Sequence, residues 1–225
     1  MNNYIVVTTK EWHIRSYKES ISKLVGNWTL ITEKELFNSD EVRRRNPKYI
    51  FFTHWSWMVD KEITDNYDCV CFHPTDLPYG RGGSPLQNLI TLGHKETKIS
   101  AFRMNDEVDG GDIYLKQDLL LSGSAHEIFK RMADIYVEMI DFIITSNPEP
   151  APQSGEVTAF VRRTPEQSRI DENMSVQELY DHIRMLDAPT YPKAFLNHES
   201  CRIEFSDTSI ENGKLSAKVS ITDLK

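Results

Sequence analysis

His73 and Asp109 are the two residues of this chain best set to handle protons. His73 follows a short apolar run, Cys69-Val-Cys-Phe72, and precedes a turn stiffened by Pro74 and Pro78. Asp109 sits in Asn105-Asp-Glu-Val-Asp109-Gly-Gly-Asp112, where the paired glycines Gly110 and Gly111 let the backbone fold tightly. Open α/β sheets bind ligands beyond the carboxyl ends of their strands. An imidazole and a carboxylate in such places suit general acid–base work. A lone His or Asp is more often structural; the two together, each at a strand end, favour chemistry.

Cys69, Cys71 and His73 alternate and so project from one face of a strand. Same-face neighbours stand roughly 6.6 Å apart, whereas zinc binds thiolates at about 2.3 Å, so no metal site is expected. Tyr79-Gly-Arg81-Gly-Gly-Ser-Pro85 joins a fixed cation to small residues and a helix start, an arrangement able to hold phosphate. Trp55-Ser-Trp-Met-Val59 follows a strand and could line a pocket at its carboxyl end, although such a cluster also serves as core.

The elements that must carry these residues are legible as patterns. Tyr4–Thr8, Trp28–Ile31, Tyr49–Phe52 and Cys69–Phe72 read as buried strands. Ile14, Tyr17, Ile21 and Leu24 recur at helical spacing. Strands alternating with helices imply crossovers and a parallel sheet. Ser84 with Pro85 predicts a helix start, buries Leu86, Leu89 and Ile90, and Gly93 ends the helix. Strands from Ile99 to Met104 and Ile113 to Leu121 bracket the acidic loop. Ser124 and Glu127 form a capping box before the stripe Ile128, Met132, Ile135, Met139 and Phe142. The run Asn147-Pro-Glu-Pro-Ala-Pro152 breaks that helix. A second capping box, Ser175 with Glu178, precedes Leu179, Ile183 and Leu186, and the tail from Cys201 to Leu224 reads as a β ribbon. The expected fold is α/β, a Rossmann-like, mostly parallel sheet with helices on both faces. A catalytic domain over 1–148 precedes a linker and small C-terminal extension over 149–225.

The 225 residues carry 26 Lys and Arg against 34 Asp and Glu, a net charge of −8. That balance argues against a broad nucleic-acid surface, which needs clustered cations. Local clusters exist at Arg43-Arg44-Arg45 and Arg162-Arg163; the first reads as a solvated face. Three cysteines make no disulfide framework, and no apolar run approaches the ~20 residues of a membrane span. A cytoplasmic protein without membrane partners is expected.

The stretches Cys71-Phe-His-Pro-Thr-Asp-Leu-Pro-Tyr-Gly-Arg-Gly-Gly-Ser-Pro85 and Asn105–Asp112 resemble the folate-dependent formyltransferase family, whose members include methionyl-tRNA, glycinamide ribonucleotide and sugar-nucleotide N-formyltransferases. The likeness covers roughly residues 45–120. It implies formyl transfer from N10-formyltetrahydrofolate to a primary amine through a tetrahedral oxyanion. His73 would stabilise that oxyanion and pass protons, and Asp109 would orient the imidazole. The family places an asparagine two residues before the histidine; here Cys71 stands there, and a thiol is only a weak donor. Another group supplies the bond, or the enzyme is slower, or the chain binds without transferring. The resemblance also implies a folate slot lined by Trp57, Met58, Val59, Asp106, Val108 and Gly110, with Thr75, Tyr79, Arg81, Gly82 and Arg163 toward the acceptor.

Phe160-Val-Arg-Arg163-Thr-Pro165 and Pro192-Lys-Ala-Phe195 look like the linker of the tRNA and aminoarabinose-type enzymes. The tRNA enzyme continues into a basic barrel, and the residues after Phe195 are read as too few for one. The expected acceptor is therefore a nucleotide-linked amino-sugar, with UDP-4-amino-4,6-dideoxy-L-AltNAc of the pseudaminic-acid branch preferred, and no nucleic acid. A dTDP-linked 3- or 4-amino sugar, a silent folate or nucleotide binder, and a hydrolase releasing formate are the alternatives. Self-pairing of the C-terminal ribbon is compatible with a homodimer.

Overall fold

The computed structural model describes residues 1–224. The chain opens with β1 (Asn3–Val7), α1 (Glu11–Glu19), β2 (Asn27–Ile31), α2 (Ser39–Arg45), β3 (Tyr49–Phe52), α3 (Lys61–Asn66) and β4 (Asp68–His73). It continues through β5 (Arg81–Gly82), α4 (Pro85–Thr91), β6 (Glu96–Arg103), β7 (Ile113–Leu120) and the long α5 (Ala125–Ser146). The last elements are β8 (Ala159–Phe160), α6 (Val176–Leu186), β9 (Ala194–His198), β10 (Cys201–Glu211) and β11 (Lys214–Asp223).

Six strands form one sheet in the order β2-β1-β3-β4-β6-β7. β1 pairs parallel with β2 and β3, and β3 pairs parallel with β4. β6 runs antiparallel to β4 and sets Ser100 opposite His73. The fold is thus α/β and Rossmann-like, with an additional C-terminal helix and antiparallel sheet. The apolar runs of β1, β3 and β4 are continuous because both sheet faces are covered. Ile5, Val7, Ile50, Phe52 and Cys69 pack on one face with Val42 of α2 and Ile63 of α3. Alternation sends Phe51 and Phe72 to the other face, where Phe72 stacks on Tyr136 of α5 at 4.5 Å. Fully burying one such phenylalanine contributes about 2–3 kcal/mol. Ser124 and Glu127 make the expected reciprocal cap ahead of α5.

Three sequence expectations are corrected. α1 ends at Glu19, and Ile21–Lys23 form a separate 3-10 turn, because the chain leaves helical geometry at Ser20. The helix buries Trp12, His13 and Ser16 rather than a stripe from Ile14 to Leu24. Ser84 makes no side-chain cap on α4; it takes a left-handed φ of 52°, and its Oγ accepts instead from the Arg163 amide. Phe142 points outward, and α5 buries Tyr136, Ile140 and Ile143 alongside Met132 and Met139.

Main-chain contacts divide the chain into two compact units. The first holds Met1–Arg81, Thr97–Leu119 and Lys130–Ala159; the second holds Gly82–Glu96, Leu120–Phe129 and Phe160 onward. In the second unit, α6 starts at the reciprocal Ser175–Glu178 cap and packs on the three-stranded sheet β11-β10-β9. The buried Arg184 is satisfied by Asp181 and by the carbonyls of Leu121 and Gly123, as a buried charge requires. β11 is an edge strand that leaves Val219 and Ile221 exposed. Among the described residues no helix is long and apolar enough to cross a membrane.

Candidate active site

His73 is the last residue of β4 and is almost fully buried. Its Nε2 lies 2.9 Å from the carbonyl oxygen of Gly80. A carbonyl only accepts, so this contact places a proton on Nε2 and leaves Nδ1 as the basic nitrogen of the neutral ring. Nδ1 lies 3.5 Å from Oδ2 of Asp109. The turn carrying Gly80 is built tightly. Ser100 on β6 donates from its hydroxyl to the Thr75 carbonyl at 2.8 Å and accepts from the Leu77 amide at 3.2 Å. The Leu77–Pro78 peptide is cis. Thr158 accepts from the Gly80 amide with its hydroxyl, and its carbonyl accepts from the Arg81 amide.

The loop that delivers Asp109 has little conformational latitude. Asp109 itself has a φ of 50°, in the left-handed region. A Cβ on Gly111 would stand 1.6 Å from the Arg103 carbonyl oxygen, so only glycine lets the loop close on β6. Gln153 donates from Nε2 to the carbonyls of Asp109 and Gly111 at 2.7 and 2.8 Å. Its Oε1 accepts from Nε and Nη2 of Arg81 at 3.1 and 2.8 Å. Arg81 also reaches Glu107 at 3.3 Å.

Cys71 is half-buried on the same strand face and, like Trp55, Val59 and Met104, packs against the buried cluster around Ile50, Phe52 and Cys69. Burial pushes its thiol well above the ordinary range, and the negative charge of Asp109 adds to that effect. It is a protonated, weakly donating wall. Burial likewise pushes Cys69 up to about 12. Neither thiol is poised as a nucleophile or metal ligand. Among the described residues no group of three or more His, Cys, Asp or Glu could hold a metal ion.

The apolar wall is strongly exposed for a soluble surface: Trp57 is 39%, Met58 81% and Val108 63% accessible. Trp57 meets Trp55 edge-on at 4.6 Å, and the indole N–H of Trp55 is buried with no hydrogen-bond partner among the described residues. An apolar face with an unanswered donor fits a flat, partly polar heterocycle. Asp106 is exposed and pairs with Lys61 across 2.5 Å, and a Cβ on Gly110 would strike Glu107.

Residues expected to face the acceptor fare differently. Thr75 is fully buried and serves the turn that holds His73. Tyr79 is half-buried, its amide donating to the Asp76 carbonyl. Arg81 is engaged by Gln153 and Glu107, so its guanidinium braces the acidic loop. Gly82 and Arg163 belong to the second unit. Gly82 has a φ of 101°, and a Cβ there would lie 2.5 Å from the Phe160 carbonyl oxygen; Arg163 donates to the Gln167 carbonyl at 2.6 Å. Sequence reasoning missed Gly80, Ser100, Thr158 and Gln153. A main-chain carbonyl leaves no trace in residue type, and Gln153 lies in a proline-rich run read as a linker.

A family model described as Formyl transferase matches residues 5–139, and one described as Methionyl-tRNA formyltransferase, C-terminal domain, matches residues 165–222. A solved structure named methionyl-tRNA formyltransferase from Clostridium thermocellum is 48% identical, with a TM-score of 0.95 over 99% of this chain and 100% of that one. A methionyl-tRNA formyltransferase of Francisella philomiragia subsp. philomiragia is 29% identical over 88% of this chain and 68% of its own length. Its counterpart in Clostridium perfringens is 26% identical, and the chain spans 59% of that relative's length. A sugar N-formyltransferase from Shewanella shares the fold at a TM-score of 0.70 but only 12% identity.

These likenesses overturn two expectations. The nucleotide-linked amino-sugar acceptor, pseudaminic-acid branch included, is displaced, because the strong relatives carry the tRNA name and a sugar enzyme matches at fold level alone. The exclusion of nucleic-acid partners goes with it. That exclusion rested on net charge, a whole-chain sum that does not describe any one face. It also rested on too short a tail, yet residues 165–222 match the tRNA enzymes' C-terminal domain.

Proposed function

The chain belongs to the formyl transferase family, and on that basis we propose that it transfers a formyl group from N10-formyltetrahydrofolate to the α-amine of a methionyl-tRNA. The observation that carries the reading is the approach of His73 Nδ1 to Asp109 Oδ2, 3.5 Å apart at the carboxyl edge of the sheet. N10-formyltetrahydrofolate supplies the activated formyl carbon. Trp57, Met58 and Val59, with Asp106, Val108 and Gly110, form the wall that would hold its pterin, and the exposed apolar surface and unanswered Trp55 donor suit that ring system.

His73 takes the amine's proton at Nδ1, since Nε2 is committed to Gly80. Asp109 accepts from Nδ1–H once the ring is protonated and balances the imidazolium charge that results. The imidazolium charge offsets the negative charge on the formyl oxygen, and as the bond from the formyl carbon to the folate nitrogen breaks, His73 returns the Nδ1 proton to that departing nitrogen. Cys71 adds a weak donor to this wall. The acceptor assignment is supported by the names of the more similar relatives.

The test is incubation of purified protein with N10-formyltetrahydrofolate and methionyl-tRNA, followed by mass spectrometry of the released aminoacyl group. Formylmethionine in the product supports the reading. Folate binding without any formylated product would reduce the chain to a silent binder.

A further inference from the structure

Gln153 spends its whole carboxamide on the loop that carries Asp109. Both N–H bonds go to main-chain carbonyls, of Asp109 and Gly111, and the oxygen takes two N–H groups from Arg81. The two carbonyls flank Gly110, so one amide clamps both sides of the tightest point of the loop. The clamp is itself held, since Arg81 is braced by Glu107 and its amide is tied to Thr158. Asp109 sits here with a φ of 50°, in the left-handed region that aspartate tolerates better than most side chains, and the clamp holds the main chain on both sides of Gly110.

We propose that Gln153 is a positioning residue for formyl transfer: it sets the separation between the Asp109 carboxylate and the His73 ring. This rests on the reading of Asp109 as the partner of His73. No other common side chain does the same job. Glutamate keeps the contact with Arg81 but donates nothing to the two carbonyls, and asparagine is one methylene too short to span both contacts.

The test uses Gln153→Ala and Gln153→Glu, each in the native chain and with Asp109→Asn, measured by crystallography and by formyl transfer to methionyl-tRNA. Gln153→Ala is expected to widen the 3.5 Å gap between Nδ1 and Oδ2 and to lower kcat on the order of 10–100-fold. The fall in kcat should exceed any rise in the KM for the folate, whose wall shares this loop at Gly110. In the Asp109→Asn background the same substitution should cost less than about threefold, since there is no longer a carboxylate to aim. Gln153→Glu should track Gln153→Ala. An unchanged gap, equal losses in both backgrounds, or a Gln153→Glu enzyme as fast as the native one would each overturn the proposal. If Gln153→Ala does not fold, Gln153→Glu carries the same measurements. Native turnover in Asp109→Asn alone would instead sink the functional reading beneath it, while the crystallographic gap still judges Gln153.

Discussion

At the scale of single residues, the site was partly legible because glycine and proline mark where a chain must turn. The Pro74 and Pro78 flanks of His73 and the Gly110-Gly111 pair beside Asp109 pointed to two strand-end loops, and the side chains do approach one another. The partners of those residues were not legible. Gly80 acts through a carbonyl, and Gln153 acts across 44 positions of sequence, where no periodicity can betray it. Arg81 was recognisable as a cation but not as one already engaged. His73→Ala and Asp109→Asn are each expected to reduce turnover at least about a hundredfold with the far-ultraviolet circular dichroism retained. Cys71→Asn separates two explanations of the unusual thiol. Ser100 and Gln153, polar side chains that hold the two loops of the site, are committed elsewhere, so an amide at 71 should raise kcat several-fold; a fall in kcat would show that the pocket is shaped around sulfur.

At the scale of elements, strand identity came through because β1, β3 and β4 are apolar on both faces, and helix starts came through where Ser and Glu box one another. Helix ends were less readable: the apolar spacing of Ile14 to Leu24 runs on past the break at Ser20. The same helix carries a consequence for pH. His13 on α1 stacks on Tyr136 at 5.1 Å, and His54, just past β3, lies 5.9 Å from His13. Burial, with His54 adding, holds His13 well below the usual histidine range; burial, with Lys10 adding, takes His54 to about 3. Both rings are therefore neutral in the folded chain, while the unfolded chain binds their protons below about 6.5. Their contribution is complete above that pH and is lost as the pH falls toward 3. The slope is on the order of 1 kcal/mol per pH unit for the buried His13 and smaller for the less buried His54. Urea melts between pH 7 and 4 should show it, and His13→Gln should flatten it.

At the scale of the whole molecule, composition described the chain well and its partners badly. An overall charge of −8 was taken to exclude nucleic acid, yet a sum over the chain describes no single face. Chain order also misleads about compactness, since residues 82–96 and 120–129 cluster with the C-terminal part. A chain cut after residue 148 keeps His73, Asp109 and Cys71 but loses Gln153 and Thr158, which hold the two loops. Such a fragment should show no measurable formyl transfer, and a fragment with native turnover would contradict the role given to those two residues. The border strand β11 has a practical outcome of its own. Ten residues of main chain stand open along one side, with Val219 46% and Ile221 62% accessible and, near them, Lys218 and the terminal Asp223 as charged deterrents. Such a ledge invites stacking between molecules in concentrated stocks. Light scattering during concentration should rise early for the native chain and later for Ile221→Lys, so that one lysine sets the ceiling for storage and crystallisation.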